Sequence, residues 1–480
     1  MIQDWQQVKA TFQNNWGYSD FRPPQDQIIR SLLSGQDALI VMPTGSGKSI
    51  CFQLPAILQQ GLTLVISPLV ALMENQVQEL HTKKLLAQAL HSQTPKPQRS
   101  NTFTLLEQGK LRLLYLSPET LLSPPVWERL VQPNLQINGL ILDEAHCLAQ
   151  WGETFRPAYR RLGAVRPALL RHKIKGSKMA IAAFTATADP YTQTVITQTL
   201  QLKSPKKFLL SPYRNNLHLT SQTIWTPKGK REHLQKFIQN HPQQSGLIYG
   251  RSRRDAETLA QNLRQQGYKT AAYHGGLDAG DRRQQEKDWL TNKLQFVVCT
   301  NAFGLGINKP DVRWIVHYQP PTLLAEYIQE VGRAGRDGQK STALSLVSEP
   351  TGLLNGEDKQ RNDFFLRSLQ NNIHQAQKLA QKIPLKGKIA ELDHPQTALS
   401  LAILHSTKQL IWHDPFTYER SATLNSKPFD LLTQQHTAQF QQMQKFWVTK
   451  NCRWQYLLLA SGFKSEANNF RCGHCDRCKK

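Results

Sequence analysis

The stretch DALIVMPTGSGKSICFQLPAILQ, residues 37–59, combines three elements that together indicate the fold. An apolar run typical of a buried parallel strand comes first, a loop with two glycines follows, and a helical pattern completes it. Phosphate-binding loops have this order, because backbone N–H groups at a helix N-terminus converge on an anion. Met42 stands where the strict pattern has its first glycine, so a tight turn with an incidental lysine is the alternative.

The alternation of apolar run, loop and helical pattern continues along the chain in two sets of five runs. They lie at 37–42, 62–67, 111–117, 139–143 and 179–186, and at 245–250, 270–274, 294–300, 312–318 and 342–347. Strands that alternate with helices form parallel sheets. The predicted fold class is therefore α/β, with two tandem parallel-sheet domains joined by a linker at 203–208.

The strand rhythm stops after about residue 350, where Gln-rich helical sequence follows. Residues 394–418 predict a helix and a hairpin that turns at Asp414 and Pro415, in a small winged-helix-like unit. We expect residues 385–435 to act either as a DNA-binding unit or as helical packing.

Charge favours polyanionic partners, because the chain has 59 Lys+Arg against 35 Asp+Glu, a net charge of +24. The densest basic run, 156–175, has seven basic residues and no acidic one, and the solvated face of a helix is its alternative explanation. No apolar run reaches the roughly 18 residues that span a bilayer, and the N-terminus lacks signal-peptide order. We expect a soluble cytoplasmic protein with no membrane partner.

Four of the seven cysteines lie close to the C-terminus, between residues 452 and 478, in the pattern C-x19-C-x2-C-x2-C. Four thiolates close a tetrahedral shell around Zn²⁺, so a small structural zinc-binding domain is predicted, with an iron–sulfur cluster as the alternative. These candidate ligands are Cys452, Cys472, Cys475 and Cys478. The other three cysteines, Cys51, Cys147 and Cys299, are predicted to be buried thiols.

An acidic pair follows a second apolar run, in LILDEAH at residues 140–146. In a nucleotide site, Lys48 would contact the β- and γ-phosphates, and the Ser49 hydroxyl would reach Mg²⁺. Asp143 would hold Mg²⁺ through water, and Glu144 would polarise the attacking water. Solvated acids after a buried strand explain one such motif, but not both motifs in one sheet.

The stretch QEVGRAGRDG, residues 329–338, places Arg333 and Arg336 three residues apart in the second domain. Cations from outside the phosphate loop stabilise phosphoryl transfer, so we expect both arginines to be catalytic, together with Gln329. Hydrolysis would then require domain closure. A basic helix on a solvated face is the alternative.

These motifs resemble those of the RecQ family of superfamily-2 helicases, over residues 1 to about 350 and at the terminal cysteines. The matching stretches are WGYSDFRPPQ (16–25), MPTGSGKS (42–49), VISPLVALMENQV (65–77), DEAHCLAQWGETFRPAY (143–159), FTATA (184–188), AYHGGL (272–277), TNAFGLGINKPDVRWIVHY (300–318) and YIQEVGRAGRDG (327–338). The resemblance implies RecA-like domains at 1–205 and 206–350, and a helical region with a zinc subdomain at 351–480. It implies ATP, Mg²⁺ and Zn²⁺ as cofactors.

The resemblance also assigns binding roles to particular residues. It implies adenine recognition by Tyr18, Arg22 and Gln25. The phosphate loop is completed by Thr44, Gly45, Ser46 and Gly47. It implies DNA contacts by Ser67, Trp151, Phe155, Arg156 and Thr300, in which the aromatic rings offer faces for unpaired bases.

The activity implied is ATP-dependent 3′–5′ unwinding of DNA in repair and recombination. The implied partners are single-stranded DNA, tailed or forked duplexes and a single-strand-binding protein, and the protein would be associated with the nucleoid. Two departures stand out: YGRSR at 249–253 replaces the family's YCNSR, and the expected short form lacks the C-terminal winged-helix and HRDC domains. The alternatives are an RNA-dependent helicase, a translocase that does not separate strands, and a non-catalytic DNA-binding module.

Overall fold

The computed structural model describes residues 4–149, 156–303 and 309–479, which form two compact units. The first unit contains the described residues up to Met42, then Ser46–Leu210 and Ser368–Gln435. The second contains Pro43–Gly45, Ser211–Arg367 and the described residues from His436 onward. The three-part domain division expected from the sequence stays a prediction.

The first unit is built on a parallel seven-stranded sheet with the strand order β3-β4-β2-β5-β6-β1-β7. Its strands are β1 (Ala38–Val41), β2 (Leu62–Ile66), β3 (Ala87–Leu90), β4 (Leu113–Leu116), β5 (Ile137–Leu142), β6 (Ala180–Thr185) and β7 (Lys206–Leu209). Its helices are α1 (Trp5–Trp16), α2 (Gln25–Leu33), α3 (Lys48–Leu58), α4 (Val70–Thr82), α5 (Lys96–Glu107), α6 (Pro118–Leu121), α7 (Pro124–Leu130), α8 (Val165–Leu170) and α9 (Pro190–Thr199), with 3₁₀ segments at Ala145–Leu148 and Pro157–Ala164. Four of the strands are buried throughout, as expected when helices cover both faces of a parallel sheet.

The second unit contains a parallel six-stranded sheet with the order β10-β11-β9-β12-β13-β8. Its strands are β8 (Leu217–Ile224), β9 (Gly246–Tyr249), β10 (Thr270–Tyr273), β11 (Phe296–Cys299), β12 (Trp314–His317) and β13 (Ser341–Ser348). Its first four helices are α10 (Pro227–Gln239), α11 (Arg253–Gln265), α12 (Ala279–Leu290) and α13 (Leu324–Val331). The predicted fold class is confirmed, and each of the ten predicted runs contains a strand.

Three strands of the two parallel sheets were not predicted, and one of them overturns the predicted linker. Within 203–208, the chain enters β7, which pairs in parallel with β1. The prediction was wrong because β7 is an edge strand in which only Phe208 is buried. Its exposed lysines give the strand a polar sequence that is typical of a loop. The strands β3 and β8 were also not predicted, because polar residues interrupt their apolar runs.

After β13 the chain is mainly helical and includes a small antiparallel sheet of order β14-β16-β15. Its elements are α14 (Glu357–Ala380), β14 (Lys386–Lys388), α15 (Thr397–Ser406), β15 (Leu410–Trp412), β16 (Thr417–Arg420), α16 (Lys427–Val448), α17 (Arg453–Ala460) and α18 (Lys464–Ala467). The predicted hairpin is confirmed: the Asp414 carboxylate closes its turn by accepting hydrogen bonds from the amides of Phe416 (2.7 Å) and Thr417 (2.9 Å).

We call residues 383–426 the three-strand unit; it packs against the segment Pro157–Ala164 of the first unit. Arg161 donates a hydrogen bond to the Pro415 carbonyl (3.2 Å), and Arg171 donates one to the His413 carbonyl (3.0 Å). The three-strand unit has four Lys+Arg and four Asp+Glu residues, and thus no net charge. A docked unit without net charge favours the packing role over DNA binding, which relies on basic surface.

Among the helices of the described residues, none combines the length and the apolar character that crossing a membrane requires.

His405 on α15 makes the packing of the three-strand unit sensitive to acid. Burial and the nearby charge of Arg160 lower the pKa of His405 to about 3. Below about pH 6.5, the unfolded chain therefore binds a proton on His405 that the folded chain does not bind. The free energy of unfolding decreases as the pH falls from about 6.5 toward about 3. We expect urea denaturation between pH 7.5 and 4.5 to show that His405→Gln weakens the loss by up to about 1.4 kcal/mol per pH unit. The exposed His172→Gln variant is the control, and identical pH dependence in both variants would contradict the assignment.

Candidate nucleotide and metal sites

The phosphate loop lies between β1 and α3, as the sequence predicts. Gly45 and Gly47 have φ angles of +83° and +79°, a backbone conformation that side chains disfavour. Thr44 and Ser46 stand beside them in the loop, and Ser49 lies in the first turn of α3. Lys48 begins the helix, and its buried Nζ has no hydrogen-bond partner among the described residues. A buried cation at a helix N-terminus suits a phosphate group.

Gln25 is held directly against this loop. Its Nε2 donates to the carbonyls of Ser46 (3.2 Å) and Gly47 (3.3 Å), and its Oε1 accepts from the Arg22 amide (2.9 Å). A Cβ on Gly47 would collide with this amide group, so the close approach requires glycine. Tyr18 is half exposed and its ring contacts Phe12 at 5.9 Å. The residues expected to recognise adenine therefore adjoin the phosphate loop through Gln25.

The acidic pair lies at the end of β5, with both carboxylates buried. Asp143 Oδ1 accepts from the Glu144 amide (3.0 Å), and Glu144 has a left-handed φ of +51°, unusual for this residue type. Burial raises the pKa of Asp143, the Glu144 charge raises it further, and Lys48 opposes both. The two motifs thus interact electrostatically, and two carboxylates beside a lysine can bind a phosphate-bound cation.

His146 and Thr185 were missed as site residues, although the sequence motifs contain both. His146 Nδ1 lies 3.2 Å from Glu144 Oε2 and 3.0 Å from Thr185 Oγ1. Thr185 Oγ1 in turn donates to the Thr187 carbonyl (3.0 Å). His146 therefore connects the acidic pair with the end of β6.

The candidate DNA contacts are only partly described. Ser67 follows β2 and Thr300 follows β11, and both are buried at the carboxyl end of their strand. Arg156 forms a partly exposed ion pair with Glu119 at 3.2 Å. Trp151 and Phe155 lie outside the described residues.

The four C-terminal cysteines come together, as expected for a metal site. The four Sγ atoms lie within 4.8 Å of one another. The Cys452 sulfur accepts from the Cys472 amide (3.3 Å), and the Cys472 sulfur accepts from the Cys475 amide (3.3 Å). Amide donors stabilise negative charge on sulfur, so the cluster suits thiolates around a metal ion.

A buried ion pair supports the predicted arginine segment in the second unit. Gln329 lies on α13, and Arg333 and Arg336 follow its end. Glu330 accepts two hydrogen bonds from Arg251, each 2.8 Å, and lies 3.0 Å from His317 Nε2. Burial raises the pKa of Glu330, but Arg251 and His317 outweigh it and lower the pKa to about 2. Arg251 was missed as a site residue, although its place in YGRSR was the available signal.

Removing the Arg251 side chain should leave Glu330 as an unpaired buried charge. We expect Arg251→Ala to lower the free energy of unfolding by about 3–5 kcal/mol in urea denaturation. The matched control is Arg254→Ala, an exposed arginine on α11, which should change stability by less than about 0.5 kcal/mol. Equal stability of the two variants would show that the pair does not hold α13.

Two family models match this chain. The DEAD/DEAH box helicase model matches residues 22–195, which contain the phosphate loop and the acidic pair. The helicase conserved C-terminal domain model matches residues 229–338, which contain the arginine segment. The two matches lie in the two sheets, in the order that the sequence motifs predict.

Solved structures of helicases share the fold at low sequence identity. Mycobacterium smegmatis Lhr has a TM-score of 0.59 at 19% identity, covering 89% of this chain and 61% of Lhr. Saccharomyces cerevisiae Dbp5 has a TM-score of 0.58 at 17% identity, covering 75% of this chain and 90% of Dbp5.

Curated relatives have a much higher sequence identity to this chain than these solved structures have. The ATP-dependent DNA helicase RecQ of Haemophilus influenzae is 39% identical, over 70% of this chain and 52% of the relative. The ATP-dependent DNA helicase RecQ of Synechocystis is 49% identical over 478 residues, which are 99% of this chain and 98% of the relative. The predicted resemblance is thus confirmed, and the chain belongs to the RecQ family of ATP-dependent DNA helicases.

Proposed function

We propose that the protein hydrolyses ATP to move 3′ to 5′ along single-stranded DNA and to separate duplex strands, in DNA repair and recombination. The observation that carries this proposal is the electrostatic interaction between the Lys48 ammonium, whose buried Nζ has no hydrogen-bond partner among the described residues, and the buried Asp143 carboxylate beside Glu144. That arrangement is suited to phosphoryl transfer. The protein would act in the cytoplasm, on the nucleoid.

We propose that residues of the phosphate loop and its neighbours in sequence, together with Asp143, divide the work of nucleotide binding. Tyr18, Arg22 and Gln25 recognise adenine. Backbone N–H groups of Thr44, Gly45, Ser46 and Gly47 bind phosphate oxygens, together with the Lys48 ammonium. Ser49 and Asp143 would hold Mg²⁺, which would supply positive charge to neutralise the phosphates.

Hydrolysis also needs a positioned water and cations for the developing charge. Glu144 takes the role of orienting the water, and its contact with His146 fixes the carboxylate. Arg333 and Arg336, with Gln329, supply the groups from the second unit. An arginine in this role contributes on the order of 10³–10⁵ in rate.

For the nucleic acid, we propose a single strand that contacts Ser67, Arg156 and Thr300 and stacks on Trp151 and Phe155. Preferred substrates are tailed or forked duplexes, and a single-strand-binding protein is a partner. The net charge of +24 supports capture of a polyanion. Binding should therefore weaken steeply as salt concentration rises.

Lys48→Ala tests the phosphate loop. We expect the variant to lose ATPase activity and to bind fluorescent single-stranded DNA with unchanged affinity, because Lys48 is proposed to contact only phosphates of the nucleotide. The exposed Lys110→Ala variant of the same unit controls for the lost charge. ATP turnover at the wild-type rate in Lys48→Ala would rule out this loop as the hydrolytic site.

We propose that Cys452, Cys472, Cys475 and Cys478 hold a structural Zn²⁺. Four sulfur atoms complete a tetrahedral shell, which leaves no open position for catalysis. Arg453 braces the cluster, since its amide approaches the Cys475 sulfur at 3.5 Å and its guanidinium pairs with Asp476 at 2.6 Å.

Metal analysis of the purified protein should find about one zinc per chain. Cys475→Ser should lose the zinc and lower the melting temperature, because metal binding and folding of such a site are coupled. Cys51→Ser, a buried cysteine far from the cluster in sequence, should retain it. Iron with visible absorbance in the wild-type protein would replace the zinc assignment with an iron–sulfur cluster.

A further inference from the structure

The turn at residues 332–335, which contains Arg333 and directly precedes Arg336, is held by hydrogen bonds from a short segment directly before β8. This segment contains Arg214 and Asn216, which belong to none of the motifs quoted above. All the residues involved lie in the second unit.

Arg214 donates hydrogen bonds to three backbone carbonyls of this turn. Its Nη1 reaches the carbonyls of Gly332 (3.3 Å) and Ala334 (2.8 Å), and its Nη2 reaches the carbonyl of Gly335. The planar guanidinium presents its donors in a fixed fork, so these bonds restrict the orientation of each peptide group. A lysine also has three donors, but they sit on one nitrogen atom and cannot present this planar fork.

Asn216 secures the end of the same turn. Its Nδ2 donates to the carbonyls of Gly335 and Gln339, both at 2.8 Å. The main-chain carbonyl of Asn216 accepts a hydrogen bond from the Ser341 amide (2.9 Å). Gly335 has a φ of +59°, and a Cβ there would lie 2.7 Å from Asn216 Nδ2. The turn is therefore built around this close approach.

These contacts determine where the two arginine side chains start. Arg333 lies within the clamped turn and Arg336 directly follows it. Burial, then the charges of Arg333 and Arg214, lowers the pKa of Arg336 to about 10, so three cations are crowded together. The like charges repel one another, while the hydrogen bonds of Arg214 and Asn216 fix the backbone of the turn.

We propose that Arg214 and Asn216 are positioning residues for ATP hydrolysis, which hold the backbone so that Arg333 and Arg336 point at the γ-phosphoryl group. This inference rests on the proposed roles of Arg333 and Arg336. Neither Arg214 nor Asn216 contacts the nucleotide in this account. Both act through the carbonyl groups of the turn.

The test is steady-state ATPase activity of Arg214→Ala at saturating single-stranded DNA. We expect kcat to fall about 10²-fold, as for a misplaced catalytic group, while KM for ATP and DNA affinity change less than about threefold. Arg214→Lys should recover only part of kcat. Arg361→Ala is the matched control, because Arg361 also donates to a backbone carbonyl in this unit, that of Pro320, and pairs with Asp358.

A double-variant cycle separates positioning from general destabilisation. In a background that carries both Arg333→Ala and Arg336→Ala, Arg214→Ala should cause little further loss of kcat, because effects of residues that act through the same groups are not additive. A full additional 10²-fold loss, or a wild-type kcat in Arg214→Ala alone, would overturn the inference. If Arg214→Ala does not fold, Asn216→Ala provides the same cycle with fewer bonds removed.

Failure of the underlying function would look different. If Arg333→Ala and Arg336→Ala both keep the wild-type kcat, the arginines are not catalytic, and the proposed function is wrong at that point. If they lose activity and the variants of Arg214 and Asn216 do not, only the positioning role is wrong.

Discussion

The parallel alignment of β5, β6 and β1 is the constraint on which the nucleotide site depends. These strands are neighbours in the first sheet, so their carboxyl ends meet at one edge. The acidic pair follows β5, Thr185 ends β6, and the phosphate loop follows β1. His146 thereby contacts Thr185, which is 39 positions away in sequence, as well as Glu144. A change in strand order would dismantle the site without altering a single motif.

In the second unit, two sets of contacts fix the backbone around the arginines that we propose to be catalytic. Arg333 and Arg336 lie between two anchors, the buried Arg251–Glu330 pair on one side and the carbonyl contacts of Arg214 and Asn216 on the other. Buried ion pairs contribute little net stability, because desolvation offsets attraction. Their value here is geometric, since a bidentate pair admits one arrangement. Fixed geometry is what a phosphoryl-transfer transition state requires from its cations.

The parts of the structure that could be predicted are those whose defining residues lie close together in the sequence. The phosphate loop, the acidic pair and the cysteine cluster each carry their signature within a few residues, and the buried strands announce themselves as apolar runs. Prediction failed where burial depends on distant neighbours. In the sequence, β7 resembles a linker, and only its pairing with β1 in the fold makes it a strand. Arg251 likewise resembles a surface arginine in the sequence, but in the fold it pairs with Glu330. Nor could spacing show that the three-strand unit docks onto 157–164, since Arg161 and Pro415 are 254 residues apart.

We propose that ATP hydrolysis by this chain separates DNA strands. The most direct test is displacement of a labelled strand from a duplex with a 3′ single-stranded tail, with ATPase followed in the same reaction. Duplexes with 5′ tails and RNA versions run beside it, and Lys48→Ala is the inactive control. The account predicts displacement only of the 3′-tailed DNA, with ATP turnover, and none by Lys48→Ala. Strong DNA-stimulated ATPase without displacement would contradict it and identify a translocase that does not separate strands.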